Sequence, residues 1–204
     1  MSAPYHTDQK IPQGRQPPAR WKVWWALLTL ALVLPSLSAV PAATIESTRE
    51  YKLKAGFLFN FAKFVEWPKK ADADAKSPLV IGVFADDPAA GIIKTALEAN
   101  PLVANGRPVI CRFLSATATP PECEILFMSR AKEEKIDEIL AQTQGQPILT
   151  VGEVDQFAQR GGMINFVRKD DYFRFEVNLE AAEKVGLKMS GNLASMATIV
   201  KRRK

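Results

Sequence analysis

Histidine is almost missing from this chain: among 204 residues there is one, His6. It lies in a polar N-terminal lead, so nothing downstream offers an imidazole. Ser-His-Asp and Cys-His catalysis are excluded for the remainder, together with every metal pattern built on histidine. Cysteine is nearly as scarce, with Cys111 and Cys123 alone and no Cys-x-x-Cys spacing. Zinc sites and dithiol chemistry therefore lack their ligands. The Gly-x-Gly-x-x-Gly fingerprint is absent where a dinucleotide fold would need it, because Gly82 sits inside the first strand-like run and Asp86-Asp87 fill the turn. There is no Walker A sequence, so P-loop phosphate chemistry has no carrier either. Long apolar runs are missing too. Val23 to Leu34 is twelve residues, and at 1.5 Å per residue it falls short of a bilayer core of about 30 Å.

What charge there is sits at the ends. The net charge is +5, of which residues 1–42 hold +3 and Lys201 to Lys204 hold +4, leaving −2 between them. A body with that balance has no basic footprint for nucleic acid. The basic tail, 201–204, reads as a solvated terminus.

The first 42 residues have the layout of a secretory signal peptide. A basic lead ends at Arg20-Trp21-Lys22, the apolar segment Val23 to Leu34 follows, and Pro35 then opens a small-residue run to Ala43. Val40-Pro41-Ala42 or Leu37-Ser38-Ala39 suits cleavage, and the expected location is the periplasm. Export puts Cys111 and Cys123 in an oxidising compartment. A bridge needs their Cα atoms within about 7 Å. Strands flanking a central one would hold them two spacings of about 4.8 Å apart. Both the bridge and the pair of thiols stay open.

Residues 44–200 read as a single domain. Lys52 to Trp67 is a helix, stopped by Pro68. Tyr51, Ala55, Leu58, Ala62 and Val65 form its apolar stripe, and Phe57, Phe61 and Phe64 widen it. That is broader than one sheet face requires. The excess means either burial in a groove or a surface for self-association or a partner, with the aromatics as anchors. Leu79 to Ala85 is an unbroken apolar run of the kind buried on both faces, and a helix to about Glu98 follows. Asn105-Gly106 is a turn, and Pro108 to Leu114, Glu124 to Met128 and Pro147 to Val151 are further strands. Lys132 to Gln142 is a helix and Glu153 to Gln159 a brief one. Gly162 to Val167 and Tyr172 to Asn178 flank a short charged turn and should pair antiparallel. Asn178 caps a helix over Leu179 to Val185, closed by Gly186, and Ser190 opens a last helix ending near Val200. The sum is a three-layer α/β fold with a mostly parallel sheet of about six strands, an antiparallel edge hairpin and helices on both faces.

Two stretches offer candidate sites. In Tyr172 to Asn178, Arg174, Glu176 and Asn178 share one face, which is either a half-solvated edge or a polar recognition strip. The C-terminal ends of the parallel strands, near Asp86, Ser129 and Gly152, are where such folds place a small-ligand pocket. Paired acids at the first of those ends can hold Mg²⁺ in phosphoacceptor domains. The third strand, however, ends in Met128-Ser129-Arg130 with no acceptor aspartate, so a turn-and-cap role suits Asp86 and Asp87.

The run from Arg174 to Ser190, RFEVNLEAAEKVGLKMS, resembles the signature of the YfiR family of periplasmic proteins. Four other pieces agree in order: Phe64-Val65-Glu66-Trp67-Pro68; Val80-Ile81-Gly82-Val83; Cys123-Glu124-Ile125-Leu126-Phe127; and Leu149-Thr150-Val151-Gly152 leading to Phe157 and Gly161-Gly162. The resemblance implies an exported, dimeric α/β protein that is not an enzyme and needs no cofactor. It implies a partner in the periplasmic part of an inner-membrane sensor or diguanylate cyclase, held inactive, and an outer-membrane lipoprotein that relieves the restraint. Such a protein would govern cyclic di-GMP without touching it. Phe57, Phe61, Phe64, Arg174, Glu176 and Asn178 are the candidate partner-binding residues. The namesake has two pairs of cysteines; this chain has one.

Overall fold

The structure is a computed structural model and describes residues 42–68, 77–115, 122–169 and 172–203. The expected leader lies outside the described residues save Ala42, as do the linker 69–76, residues 116–121 and the acids of the charged turn.

The first helix, α1, spans Ala42–Phe64. It starts earlier than the stripe suggests and stops before Trp67, because Val65–Glu66 forms β1, which pairs with a distant two-residue strand. Leu79–Phe84 is β2, buried at every position. Then come α2 (Ala90–Glu98), β3 (Val103–Ala104), β4 (Arg107–Leu114) and β5 (Ile125–Met128). A 3-10 turn at Arg130–Lys135 leads into α3 (Ile136–Gln142), so the expected helix begins as a tighter coil. β6 (Leu149–Gly152) is followed by turns through residue 160, where the sequence suggested a brief helix. β7 (Ile164–Lys169) and β8 (Tyr172–Val177) form the antiparallel hairpin, in register from Ile164↔Val177 to Lys169↔Tyr172. The short α4 (Leu179–Glu183) is capped by Asn178, whose side chain accepts from Ala181 N–H, and Gly186 follows at φ +78°. Only glycine holds that conformation without strain. β9 (Lys188–Met189) is the partner of β1. The last helix is shorter than expected: α5 covers Gly191–Ser195, and Thr198–Ile199 is β10, parallel to β8.

The main sheet has eight strands in the order β10-β8-β7-β6-β5-β2-β4-β3. Two of them are two-residue edge pieces, which is the difference from the six expected. It is mostly parallel, as the sequence indicated; only β7–β8 and β3–β4 run antiparallel. The hairpin is one strand in from the edge because β10 covers β8. Within it, β4-β2-β5-β6-β7 is the 2-1-3-4-5 order of doubly wound, flavodoxin-like sheets.

Alternation divides the interior in two. One face of the sheet carries Ile81, Cys111, Phe127, Val151 and Phe166 and is covered by Leu58 and Phe61 of α1 and Ile93 of α2. The other carries Phe84, Leu114, Leu126 and Met128 beneath Ile136 and Ile139. This separates the cysteines. Cys111 pairs with Ile81 and faces α1 and α2. Cys123 lies over Gly82 on the opposite face, where its sulfur would be 3.0 Å from any Cβ. The two carry separate thiols. β4 and β5 flank β2, so the strand spacing expected from the sequence separates the cysteines, and the thickness of the sheet adds to it.

Candidate functional site

Folds of this order bind ligands outside the carboxyl ends of their strands, where the strand order reverses, here between β2 and β5. Asp87 closes that place. It is 4 % exposed. Its Oδ1 accepts from Ala89 N–H at 2.9 Å and its Oδ2 from Ser129 N–H at 3.3 Å. One carboxylate thus ties the end of β2 to the end of β5. Beside it Asp86 points to solvent and pairs with Lys132 Nζ at 2.5 Å. The hydrogen bond from that lysine holds the Asp86 carboxyl below its ordinary range. Ser129 accepts from Ala131 N–H to open the 3-10 turn.

Next to it, at the end of β6, a buried ion pair fills what remains. Lys54 comes down from α1 and is 3 % exposed; Glu153, one residue past β6, is 6 % exposed. They are salt-bridged, and Glu50 pairs with Lys54 from the preceding turn of α1. Glu153 Oε1 also accepts from the Tyr51 hydroxyl at 2.9 Å and from Arg130 N–H at 2.8 Å. The ammonium lies 4.9 Å from the Tyr51 ring centre and 5.4 Å from that of Phe173. Burial first, and the Glu153 charge second, push the Tyr51 phenol well above its ordinary value, so it stays protonated and donates. A buried carboxylate with this many donors is satisfied. The crevice is packed with the protein's own charge.

Gly152, the third residue expected to line a pocket, is covered. A Cβ there would stand 2.5 Å from the ring of Phe157, and one at Gly162 would also overlap that ring. The two glycines make room for Phe157, which is wholly buried. Asp86, Ser129 and Gly152 all lie at the expected end of the sheet, beside the buried Asp87 and the Lys54–Glu153 pair. Among the described residues no group of three or more His, Cys, Asp or Glu is placed to hold a metal.

The candidate partner-binding residues divide. Phe61 is buried at 1 % exposure, and Phe57 is half-buried with its ring 5.9 Å from Phe166 and 6.1 Å from Phe175. Phe64 is half-buried on the same core. The excess width of the stripe is thus spent largely on the sheet and α2. Asn178 is fully buried as the α4 cap and donates to Ala158 C=O at 2.8 Å. Glu176 is half-buried and accepts from Asn165 and Gln159. Arg174 is exposed, 5.9 Å from the ring of Tyr172, itself 69 % exposed. The open part of the strip is therefore Arg174 and Tyr172, with Lys169 exposed opposite in the hairpin. Lys54, Glu153 and Tyr51 were missed at sequence level. A lysine inside an apolar stripe at Tyr51–Ala55 was the one available signal.

Residues 51–198 match the model of a protein family described as YfiR/HmsC-like. No curated protein matches the chain. Among solved structures it is similar to a conserved domain protein from Vibrio cholerae O1 biovar El Tor str. N16961, with 11 % identity and a TM-score of 0.51 over 74 % of this chain and 60 % of that one. At that identity the likeness concerns the fold alone, and this chain spans about three fifths of that protein's length.

Proposed function

The chain belongs to the YfiR/HmsC-like family, and from that premise we propose that it is a non-enzymatic regulatory protein of the periplasm that restrains an inner-membrane signalling protein. The family match over residues 51–198 is the observation that carries this reading. The buried groups at the strand ends support it: Asp87, Lys54 and Glu153, each bonded within the protein, lie where a related fold would seat a substrate. Among the described residues no helix is long and apolar enough to cross a membrane. The contact surface in this reading is the outer side of the hairpin, with Arg174, Tyr172 and Lys169 exposed and Glu176 beside them, while Phe57 and Phe64 flank a self-association face on α1. The partner is the periplasmic part of a diguanylate cyclase or sensor, an outer-membrane lipoprotein relieves the restraint, and the working unit is a homodimer.

The test is capture from host membranes with a photo-crosslinking residue at Tyr172. Recovery of an inner-membrane signalling protein, lost in Arg174→Glu while the fold is retained, is the expected result. Recovery of none, or substrate turnover by the purified protein, overturns the proposal.

A further inference from the structure

One opening among the described residues lies away from the carboxyl ends of the strands. It is a cleft of about 480 Å³ at the other end of the sheet, where β6 and β7 begin, between α3 and α4. Pockets of a few hundred Å³ are the size that holds small molecules. Its floor includes Thr150, Met163 and Leu140, and Val185 closes one side. Thr150 and Met163 are buried, at 2 % and 6 % exposure. The Thr150 hydroxyl accepts from Met163 N–H at 3.1 Å and keeps its own proton to donate.

The rim is charged and its charges do not balance. Arg160 forms a two-point pair with Asp137, Nε to Oδ1 and Nη2 to Oδ2, both at 2.9 Å. Lys184 pairs with Glu180 at 2.7 Å. Arg202 is a third cation, and the described residues that line the cleft include only two acids, Asp137 and Glu180. Its position follows from how the tail is held. Val200 N–H donates to Val177 C=O at 2.9 Å, and Arg203 N–H to Gln159 C=O at 3.0 Å. The Arg203 side chain reaches Gln156 at 2.7 Å. In an extended segment neighbouring side chains point opposite ways, and the Arg202 guanidinium lies across Gly161, 3.7 Å from where a Cβ would stand. Any side chain at Gly161 would also be strained, since its φ is +116°. The tail, which by sequence reads as a solvated end, is tied down on both sides of Arg202, the arginine it contributes to the cleft.

We propose that this cleft binds a small carboxylate with an apolar body, the carboxylate on the fork of Arg202 and the body against Leu140, Met163 and Val185. A guanidinium matches a carboxylate with two parallel hydrogen bonds. The Thr150 hydroxyl supplies a donor at the floor, and the net positive rim favours a single negative charge. Arg160 and Lys184 are already neutralised by their own acids, which sets them against a second charge on the ligand. The inference is independent of the partner-binding reading, and the failure of one leaves the other standing.

The experiment is a two-dimensional amide NMR titration of the isotope-labelled protein with phenylacetate, hexanoate, the neutral isostere phenylacetamide and inorganic phosphate. At least one of the two carboxylates should give saturable shifts at Thr150, Gly161 and Ala181. Phenylacetamide should bind at least about tenfold more weakly than phenylacetate, the worth of one charge-assisted contact. Arg202→Gln should lose about the same factor, and Arg202→Lys part of it, with the spectrum otherwise unchanged. Ala181→Met, which narrows the cleft, should weaken both carboxylates. Equal binding of acid and amide, full affinity in Arg202→Gln, shifts that map elsewhere, or no saturable shift with either carboxylate overturns the proposal. So does phosphate binding as tightly as the carboxylates, since the apolar walls would then contribute nothing.

Discussion

Lys54 and Glu153 show how much one side chain can decide. The pair is buried, and breaking a buried pair so that one charge is left uncompensated costs about 3–5 kcal/mol. Glu153 would still accept from Tyr51 and Arg130, and Lys54 would still have Glu50. Lys54→Met is therefore expected to destabilise more than Glu153→Gln, and the double variant to recover most of the loss. Urea titrations of the three variants check this; additive losses would show that the pair is not coupled. The cysteines give a second residue-level expectation. Burial pushes the Cys111 thiol up to about 11. Because its folded value is raised, the stability this thiol contributes is complete below the ordinary thiol range and is lost as pH rises toward 11. At pH 8 a haloacetamide should label Cys123, which is half-buried, and leave Cys111 untouched until the chain is unfolded. Rapid labelling of both in the native protein would contradict the burial of Cys111.

At the level of elements, the strands that pack on two faces were legible because continuous apolar runs bounded by turn residues have few other meanings: Leu79–Phe84 and the hairpin are found where the pattern puts them. The caps were legible for the same reason, with Asn178 and Gly186 each in the one position their chemistry favours. β1, β9 and β10 were not, because two residues carry no periodicity, and their pairing depends on where distant segments arrive. The segment after β6 was misread for a different cause. Val154, Phe157 and Ala158 have helical spacing, yet Phe157 must pack against both Gly152 and Gly162, and a series of turns brings it there. Gly152→Ala should therefore cost about 1–3 kcal/mol by overpacking. Phe157→Leu in the same chain should return part of that. Thermal melts of the single and double variants test the pair, and a Gly152→Ala protein as stable as the parent would show that the ring can move aside.

For the molecule as a whole, sequence supplied the fold class and the family, but not the state of its crevice. Nothing local marks Lys54 and Glu153, 99 positions apart, as partners. Separation in sequence also hid the open cleft, which draws on the tail, two helices, β6 and the segment before β7. The aromatic width of α1 was readable, but its division between core and surface was not. Phe61 lies wholly inside, so Phe61→Asp is expected to abolish folding and says nothing about assembly. Leu53, one turn before Phe57, is 48 % exposed. If α1 is the self-association face, Leu53→Asp should yield a folded monomer by light scattering with an unchanged circular dichroism spectrum. A parent protein that is already monomeric at high concentration removes the face. The placement of the two sulfurs on opposite sides of the sheet has a further consequence for how the protein survives oxidation. A covalent link between them can close only in a polypeptide that has not yet assembled its strands, so a fast-migrating band on a non-reducing gel becomes a count of chains trapped before maturation, while correctly built molecules keep their electrophoretic mobility whether or not a reductant is present.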